Sequence, residues 1–192
     1  MVADLVTWIV VGVVVLGTLL YLVGLYNSFI RMALANDQAM ANIDSVLRQR
    51  HEEITKLVNA CRAYMEHERD TLEDLTRMRT GAEGAKGTDA KVQAENALTR
   101  QLGKLRMVWE AYPALRASEN FQQAQERMSA LETTLNDRRE FFNASATEYN
   151  TFIKQFPPLV FAPLFGFPAR ALLQTPEEKR ADIPQPFPLK HG

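Results

Sequence analysis

Hydrophobic residues fill the first thirty positions of the chain almost without interruption. After Asp4 no charged residue occurs until Arg31, and residues 5–30 are mostly Val, Leu and Ile. A helix needs about 20 apolar residues to cross the hydrocarbon core of a bilayer. Trp8 and Tyr26 lie toward the two ends of the run, where interfacial aromatic side chains settle. The pattern predicts a transmembrane anchor over residues 1–30 that contacts the lipid bilayer through residues 5–30.

A cleaved signal peptide is the alternative interpretation, because Ala33-Leu34-Ala35 spells a small-residue cleavage site. A signal peptide has a positive first region and an apolar run of roughly 7–15 residues. This chain has no Lys or Arg before the span, and its apolar run is longer. We therefore favour an uncleaved anchor. Because Lys and Arg follow the span, as at Arg31 and Arg48, and do not precede it, we expect the N-terminus outside and the remainder in the cytoplasm.

Beyond the anchor, apolar residues recur at alternating spacings of three and four, which is the period of an amphipathic helix. Three helices are predicted, at about residues 36–79, 90–111 and 118–156. The apolar positions are Met40, Ile43, Leu47, Ile54, Leu57, Cys61 and Tyr64 in the first helix, Leu98, Leu102, Leu105, Val108 or Trp109, and Tyr112 in the second, and Phe121, Ala124, Met128, Leu131, Leu135, Phe142, Tyr149, Phe152 and Phe156 in the third. The fold class is therefore all-α: an N-terminal transmembrane helix followed by an antiparallel bundle of long helices with coiled-coil-like packing.

Glycine marks the first connection between these helices. Gly81, Gly84 and Gly87 recur every third residue in "TGAEGAKGTDA". A phosphate-binding loop needs a different glycine spacing and a preceding strand, so we interpret the segment as a flexible helix–helix connection.

Proline marks the later breaks. Pro113 prevents the second helix from continuing, and Pro157-Pro158 end the third. The segment 159–173 is apolar but too short and too rich in proline to cross a bilayer. We expect it to fold back on the bundle, to pack against a neighbouring subunit, or to touch the membrane. The proline-rich tail 174–192 is expected to be extended.

Composition excludes some classes of function. Lys and Arg total 22 and Asp and Glu total 23, for a net charge of -1, whereas a nucleic-acid-binding protein shows a basic excess. We therefore expect no nucleic-acid partner. The single cysteine, Cys61, excludes an intramolecular disulfide. It lies on an apolar face, whereas a nucleophilic cysteine needs an exposed, electropositive position.

Candidate metal ligands are few. "HEEIT", from His51 to Thr55, resembles the H-E-x-x-H zinc motif but lacks its second histidine. Glu66, His67 and Glu68 form a second cluster, although a run of charges on a long helix is usually a solvated face. Trp109, Tyr112 and Phe121 flank a turn, and we interpret them as a packing cluster rather than a ligand cage. No catalytic, cofactor-binding or metal-binding residue is predicted.

Three stretches of the chain, in order, resemble the LemA family of bacterial membrane proteins. The first begins at Tyr26 and reads "YNSFIRM…NDQAMANIDSVLRQRHEEITKLVNACRAYMEHE". The second is "EAYPALRASENF", and the third is "FFNASATEYNTFIKQFP" with its paired aromatic-Asn steps, followed by "LFGF" at residues 164–167. The resemblance covers about residues 1–170. Met40, Glu53 and Thr55 depart from the family pattern, so the chain resembles a divergent member.

The resemblance implies a cytoplasmic helical bundle over residues 31–173, carried on one N-terminal span in the bacterial inner membrane. It brings no catalytic residues. Our leading hypothesis is a non-enzymatic, homo-oligomeric scaffold that organises or shapes membrane. The alternative is a membrane-tethered adaptor that recruits an unidentified envelope protein through an exposed helix face or the tail 174–192. A more remote alternative is a metal-dependent enzyme that uses Glu66, His67 and Glu68.

Overall fold

Helices account for all the regular secondary structure of residues 1–173, which are the residues described by the computed structural model. The helices are α1 (Val2–Arg62), α2 (Arg69–Gly84), α3 (Thr88–Trp109), α4 (Pro113–Arg116), α5 (Glu119–Lys154) and α6 (Pro158–Phe161), with a single 3-10 turn at Glu66–Glu68 before α2. The predicted all-α class is confirmed. The predicted extended tail, residues 174–192, lies outside the described residues.

The predicted anchor and the start of the first bundle helix are one helix. α1 runs from Val2 to Arg62 without a break, because no proline interrupts it. Its most apolar window of 18 residues has a mean hydropathy of 2.5, and none of that window is buried within the chain. α1 is therefore long and apolar enough to cross a membrane.

The prediction of a single helix over residues 36–79 is wrong. α1 ends at Arg62, and the backbone amides of Tyr64 and Met65 both donate to the carbonyl of Cys61, at 3.0 and 2.9 Å. Tyr64, predicted on the apolar face, is exposed, and Met65 is buried instead. The break lets Leu75 of α2 join the same core as Leu57 of α1. On one straight helix those two residues would be about 27 Å apart.

Two further predicted boundaries differ from the structure. The connection expected over residues 80–90 is only Ala85–Gly87, because α2 continues through Ala82, whose side chain is buried in the core. Gly87 has a φ of 85°, a conformation that glycine adopts without a steric penalty. At the other end of the chain, α5 stops at Lys154 and Phe156 is 84% exposed, so Phe156 is not part of the apolar face.

The chain divides into two compact units. Unit 1 consists of Met1–Ile43 and Arg138–Leu172, and Asp44–Asp137 form the body of unit 2. The core of unit 1 contains Leu25 and Phe29 of α1, Tyr149 and Ile153 of α5, and Ala162. Residues that follow α5 therefore fold back onto the helices of unit 1, which is one of the three placements expected for the segment 159–173.

Unit 2 has a larger apolar core, and most of its members come from the predicted helix faces. α2 and α3 pack side by side, as their short connection requires. The core residues are Ile54, Leu57, Val58, Cys61, Met65, Leu72, Leu75, Ala82, Leu98, Leu102, Leu105, Trp109, Leu115, Phe121, Ala124 and Met128. The alternating three- and four-residue spacing thus identified most of the buried positions of α1, α3 and α5 in this unit.

Candidate functional site

The most unusual feature of unit 2 is a group of charged side chains buried between helices. Arg50 of α1 is 1% exposed and Glu95 of α3 is 2% exposed. Arg50 Nη1 donates to Glu95 Oε2 at 2.8 Å, and His51 Nε2 donates to Glu95 Oε1 at 2.7 Å. One carboxylate therefore accepts hydrogen bonds from two neighbouring residues of another helix. We call Arg50, His51 and Glu95 the buried triad.

Helix geometry explains why these side chains meet. Arg50 lies between Leu47 and Ile54 on the apolar face of α1, so its guanidinium must enter the core with them. Glu95 lies three residues before Leu98 on α3, on the face that enters the same core. Arg50 Nη2 also donates to the Thr99 hydroxyl at 2.9 Å. Arg50 of α1 therefore pairs with residues of α3.

Glu95 is held in its ionised form. Burial by itself would raise the pKa of Glu95, but the hydrogen bonds from His51 and Arg50 and the electrostatic attraction of these two side chains outweigh it. The net effect is a pKa below the usual range of a glutamate. A group whose pKa is lowered by folding stabilises the native state above its unfolded-state pKa, and this stabilisation is lost as the pH falls through the folded-state value.

The lowered pKa of Glu95 predicts an acid-dependent loss of stability. We expect the difference in free energy of unfolding between the wild type and Glu95→Gln to be largest near neutral pH. It should shrink as the pH falls below about 4.5, the ordinary pKa of the group, by no more than about 1.4 kcal/mol per pH unit for a single proton. Chemical denaturation at a series of pH values measures it. Glu52→Gln, at the exposed neighbour of Glu53, is the matched control, and its difference from wild type should not change in this way.

A cleft of about 310 Å³ borders the buried triad. Its lining includes His51, Glu83, Glu95, Asp44 and Lys91. Two of these charges form an ion pair, with Lys91 Nζ 2.9 Å from Asp44 Oδ1, and Glu83 accepts a hydrogen bond from Arg79 outside the cleft at 2.7 Å. Arg48 also lines the cleft and is exposed. Leu47 and Ala82 line the cleft as well, so its lining combines charged and apolar side chains. The pair of Asp44 with Lys91 joins α1 to α3, which suits the control of helix register.

The carboxylate of Glu53, close to the buried triad, is also paired with basic side chains. Glu53 is buried, and charged residues are seldom buried unless they have a partner. Lys56 Nζ lies 2.6 Å from Glu53 Oε1, and Arg127 Nη1 of α5 lies 3.7 Å from the same oxygen. Glu53 and Lys56 are three residues apart on α1, a spacing that places oppositely charged side chains beside each other on a helix.

The structure also places the other candidate residues that the sequence singled out. Within residues 1–173 no group of three or more His, Cys, Asp or Glu side chains is placed to hold a metal ion. Glu66, His67 and Glu68 form the 3-10 turn, and none of them is buried. Cys61 is buried, and burial raises the pKa of its thiol to about 12, so it is almost entirely protonated at neutral pH and a poor nucleophile.

The aromatic residues around the turn between α3 and α4 pack as predicted. Trp109 and Phe121 are both buried, their ring centroids are 5.0 Å apart, and their planes meet at 84°. Tyr112 is partly buried against the same core. This edge-to-face arrangement is typical of core aromatic pairs.

Unit 1 has a second notable feature, a cluster of aromatic rings at the end of the apolar stretch of α1. Phe29 stacks on Phe167 with ring centroids 4.9 Å apart and meets Phe152 of α5 edge-to-face at 5.1 Å. Tyr26 meets Phe165 edge-to-face at 5.4 Å. We call residues 156–167, which include α6, the apolar loop. Its aromatic residues contact α1 within the stretch that was predicted to cross the bilayer.

Hydrogen bonds from α5 fix the chain just after the apolar loop. The Tyr149 hydroxyl donates to the carbonyl of Pro168 at 2.9 Å. The Asn150 side chain donates to the carbonyl of Arg170 and accepts from its backbone amide, both at 2.8 Å. These bonds give a structural role to the Tyr149-Asn150 step that carried part of the family resemblance. The sequence alone did not indicate which backbone groups this step would bind.

Each of the two units is built from packed helices, and unit 1 contains the candidate membrane span. The sequence model of the LemA family matches residues 39–186, which is most of the chain. The chain therefore belongs to the LemA family, as its motifs indicated. No curated protein matches it. Family membership and the apolar N-terminal helix together suggest a membrane-anchored protein.

Proposed function

We propose that this protein is a non-enzymatic, homo-oligomeric scaffold of the bacterial inner membrane, with its N-terminus outside and its bundle in the cytoplasm. The observation that carries the proposal is the way the span joins the bundle. Leu25 and Phe29 belong to the uncharged stretch of α1, yet both are buried in the core of unit 1. Membrane span and bundle therefore share one helix without a flexible linker.

Such a junction supports a fixed scaffold over a loose tether. A tether needs a linker long enough to give its domain reach, whereas α1 has no break between the apolar stretch and Ile43, which is also buried. It also supports an uncleaved anchor. Cleavage after Ala35 would remove Phe29 and the ring contacts it makes with Phe152 and Phe167.

The absence of enzymatic activity is proposed from what the reactive side chains do. Glu95, His51 and Arg50 bind one another, and Cys61 is buried with a raised pKa. A catalytic group must reach its substrate within hydrogen-bonding distance. In this protein each of these groups makes a contact inside the fold, so we propose that each contributes to the stability of the fold.

Self-association is expected to involve the exposed face of α5 in unit 1. Phe141 is a large aromatic residue that is mostly exposed, and aromatic residues are enriched in the central contacts of protein interfaces. We expect light scattering of the full-length protein in detergent to give a discrete mass that is a multiple of 21.7 kDa. Phe141→Ser should lower that mass, whereas Glu140→Ser, at the exposed position beside it, should not.

The same measurement separates the scaffold from its alternatives. A wild-type protein that stays monomeric at all concentrations would contradict the proposal. Equal masses for all three proteins would retain the oligomer but remove Phe141 from its interface. The alternative of an adaptor depends in part on the tail 174–192, which lies outside the described residues, and the structure gives it no specific support.

A further inference from the structure

We infer that the apolar loop is a second membrane-contacting element, which lies in the headgroup region of the bilayer beside the α1 span. The inference rests on the proposed membrane anchoring and extends it. It assigns a lipid partner to a surface that the anchor alone does not explain.

The position of the apolar loop follows from its contacts with α1. Phe165 and Phe167 contact Tyr26, with ring centroids 5.4 and 6.0 Å away. Tyr26 precedes Arg31, the first charged residue after the span, by five residues, or about 8 Å along a helix. Interfacial elements bury their apolar side chains about 5–10 Å into the boundary between headgroups and acyl chains. The contacts therefore place the loop at the depth typical of such elements.

The exposed side chains of the apolar loop are apolar and are therefore expected to contact lipid rather than water. Leu164 is 73% exposed, and Leu159 and Val160 are each about half exposed. No charged residue occurs from residue 155 to residue 169. Contiguous exposed apolar side chains of this kind mark an interaction surface. Because the rings on the inner side of the loop rest on the span, a bilayer that surrounds the span also reaches the outer side.

Charges at the borders of the loop agree with this placement. Arg31 follows the uncharged stretch of α1, and Lys154 ends α5 immediately before the loop; both are exposed. Arg170 follows the loop and pairs with Asp37 of α1, with Nη2 3.0 Å from Oδ1. Basic side chains at the edge of an apolar surface bind anionic headgroups. The loop itself is thus uncharged, and the exposed basic residues Arg31 and Lys154 lie at its borders, where headgroups are expected.

Site-directed fluorescence tests the inference in the full-length protein. Leu164→Cys is labelled with an environment-sensitive NBD dye and reconstituted into vesicles of phosphatidylglycerol and phosphatidylethanolamine. The native Cys61 does not compete for the label, because it is buried and its pKa is raised to about 12. Lipids with a spin label at a shallow or a deep acyl position quench the dye according to its depth. Val15→Cys, in the middle of the span, and Ala144→Cys, exposed on α5 about 15 Å before Lys154, are the matched controls.

The expected result is an order of depths. The dye at position 164 should emit at a shorter wavelength than at position 144 and should be quenched at least twofold more by the shallow spin label. The dye at position 15 should be quenched most by the deep label. If position 15 is quenched and position 164 is not, the loop does not enter the membrane and the inference is wrong while the anchor stands. If neither is quenched, the anchor itself is wrong and the inference falls with it. A short-wavelength emission at position 164 without lipid quenching would identify a protein surface as its cover and would also overturn the inference.

Discussion

Replacing Glu95 with alanine is expected to lower the free energy of unfolding by about 3–5 kcal/mol, the usual loss when one partner of a buried ion pair is removed. The substitution leaves the Arg50 guanidinium, which is 1% exposed, without the carboxylate 2.8 Å away. It also removes the acceptor of the His51 Nε2 hydrogen bond. Glu132 lies 4.0 Å from Arg50 and is partly exposed, so it compensates little. Urea denaturation followed by circular dichroism in detergent measures the loss.

Two comparison variants separate pairing from packing. Asp44→Ala breaks an ion pair with Lys91 in which both side chains are about one-third exposed, and it should lower stability by no more than about 1 kcal/mol. The double variant Arg50→Met with Glu95→Leu replaces charge by apolar volume and should recover most of what Glu95→Ala loses. A Glu95→Ala protein within about 1 kcal/mol of wild type would mean that the buried triad contributes no more than a surface pair.

The apolar pattern predicted the parts of the fold that depend on one helix at a time. Because helical periodicity is a local property of the sequence, the spacing of Ile54, Leu57 and Cys61 identified a buried face on α1, and Leu98, Leu102 and Leu105 did the same on α3. The candidate membrane span could also be predicted from the sequence, because the uncharged apolar run is a local feature of it. These elements needed no knowledge of their neighbours.

The break after Arg62 could not be predicted in this way. Nothing in "ACRAYMEHERD" ends a helix by itself, since the stretch has neither glycine nor proline. The chain turns there because Leu72 and Leu75 are stabilised by joining the core that contains Leu57. Burial of two leucine side chains is worth several kcal/mol, which exceeds the loss of a few intrahelical hydrogen bonds at about 1 kcal/mol each. Tertiary packing therefore decided a boundary that helix propensity left open.

Only part of the buried triad could be predicted from the sequence. Arg50 lies between the apolar positions Leu47 and Ile54, a pattern that indicates a polar group on a buried face, but its partner lies on another helix. Glu95 lies three residues before Leu98, which indicates a position on the buried face of α3. This position did not distinguish Glu95 as a buried partner, because acidic residues are frequent on all these helices. His51 attracted attention through its resemblance to a zinc motif, whereas its role is to donate a hydrogen bond to Glu95. Pairing between helices is a property of the fold and is not encoded in local spacing.

The two notable features of the molecule have different characters, and each belongs to its own unit. The buried triad of unit 2 uses directional hydrogen bonds between α1 and α3, which suits the control of helix register. The aromatic cluster of unit 1 uses non-directional packing of rings where α1 leaves its apolar stretch. Each feature thus stabilises the contacts between helices of its own unit.

Replacing Phe121 with alanine is expected to lower the free energy of unfolding by about 3–5 kcal/mol, as for other large aromatic residues in cores. Phe121 is almost fully buried, and its ring meets Trp109 edge-to-face at 5.0 Å. The substitution removes that contact and leaves a cavity between the end of α3 and the start of α5, which the surrounding helices can fill only in part. Urea denaturation measures the loss, and the fluorescence of Trp109 should shift to longer wavelength as water reaches its ring.

A substitution on α3 provides the control for Phe121→Ala. Met107 is also a large apolar residue, but it is 71% exposed, so Met107→Ala should change stability by no more than about 0.5 kcal/mol. Phe121→Leu fills most of the cavity and should fall between Phe121→Ala and wild type. If Phe121→Ala instead unfolds within about 1 kcal/mol of wild type, Trp109 and Phe121 would not be a packing cluster, and the ligand cage weighed against it would become the better interpretation. The contrast matters because a side chain kept for a ligand can be removed with little loss of stability, whereas a core side chain cannot.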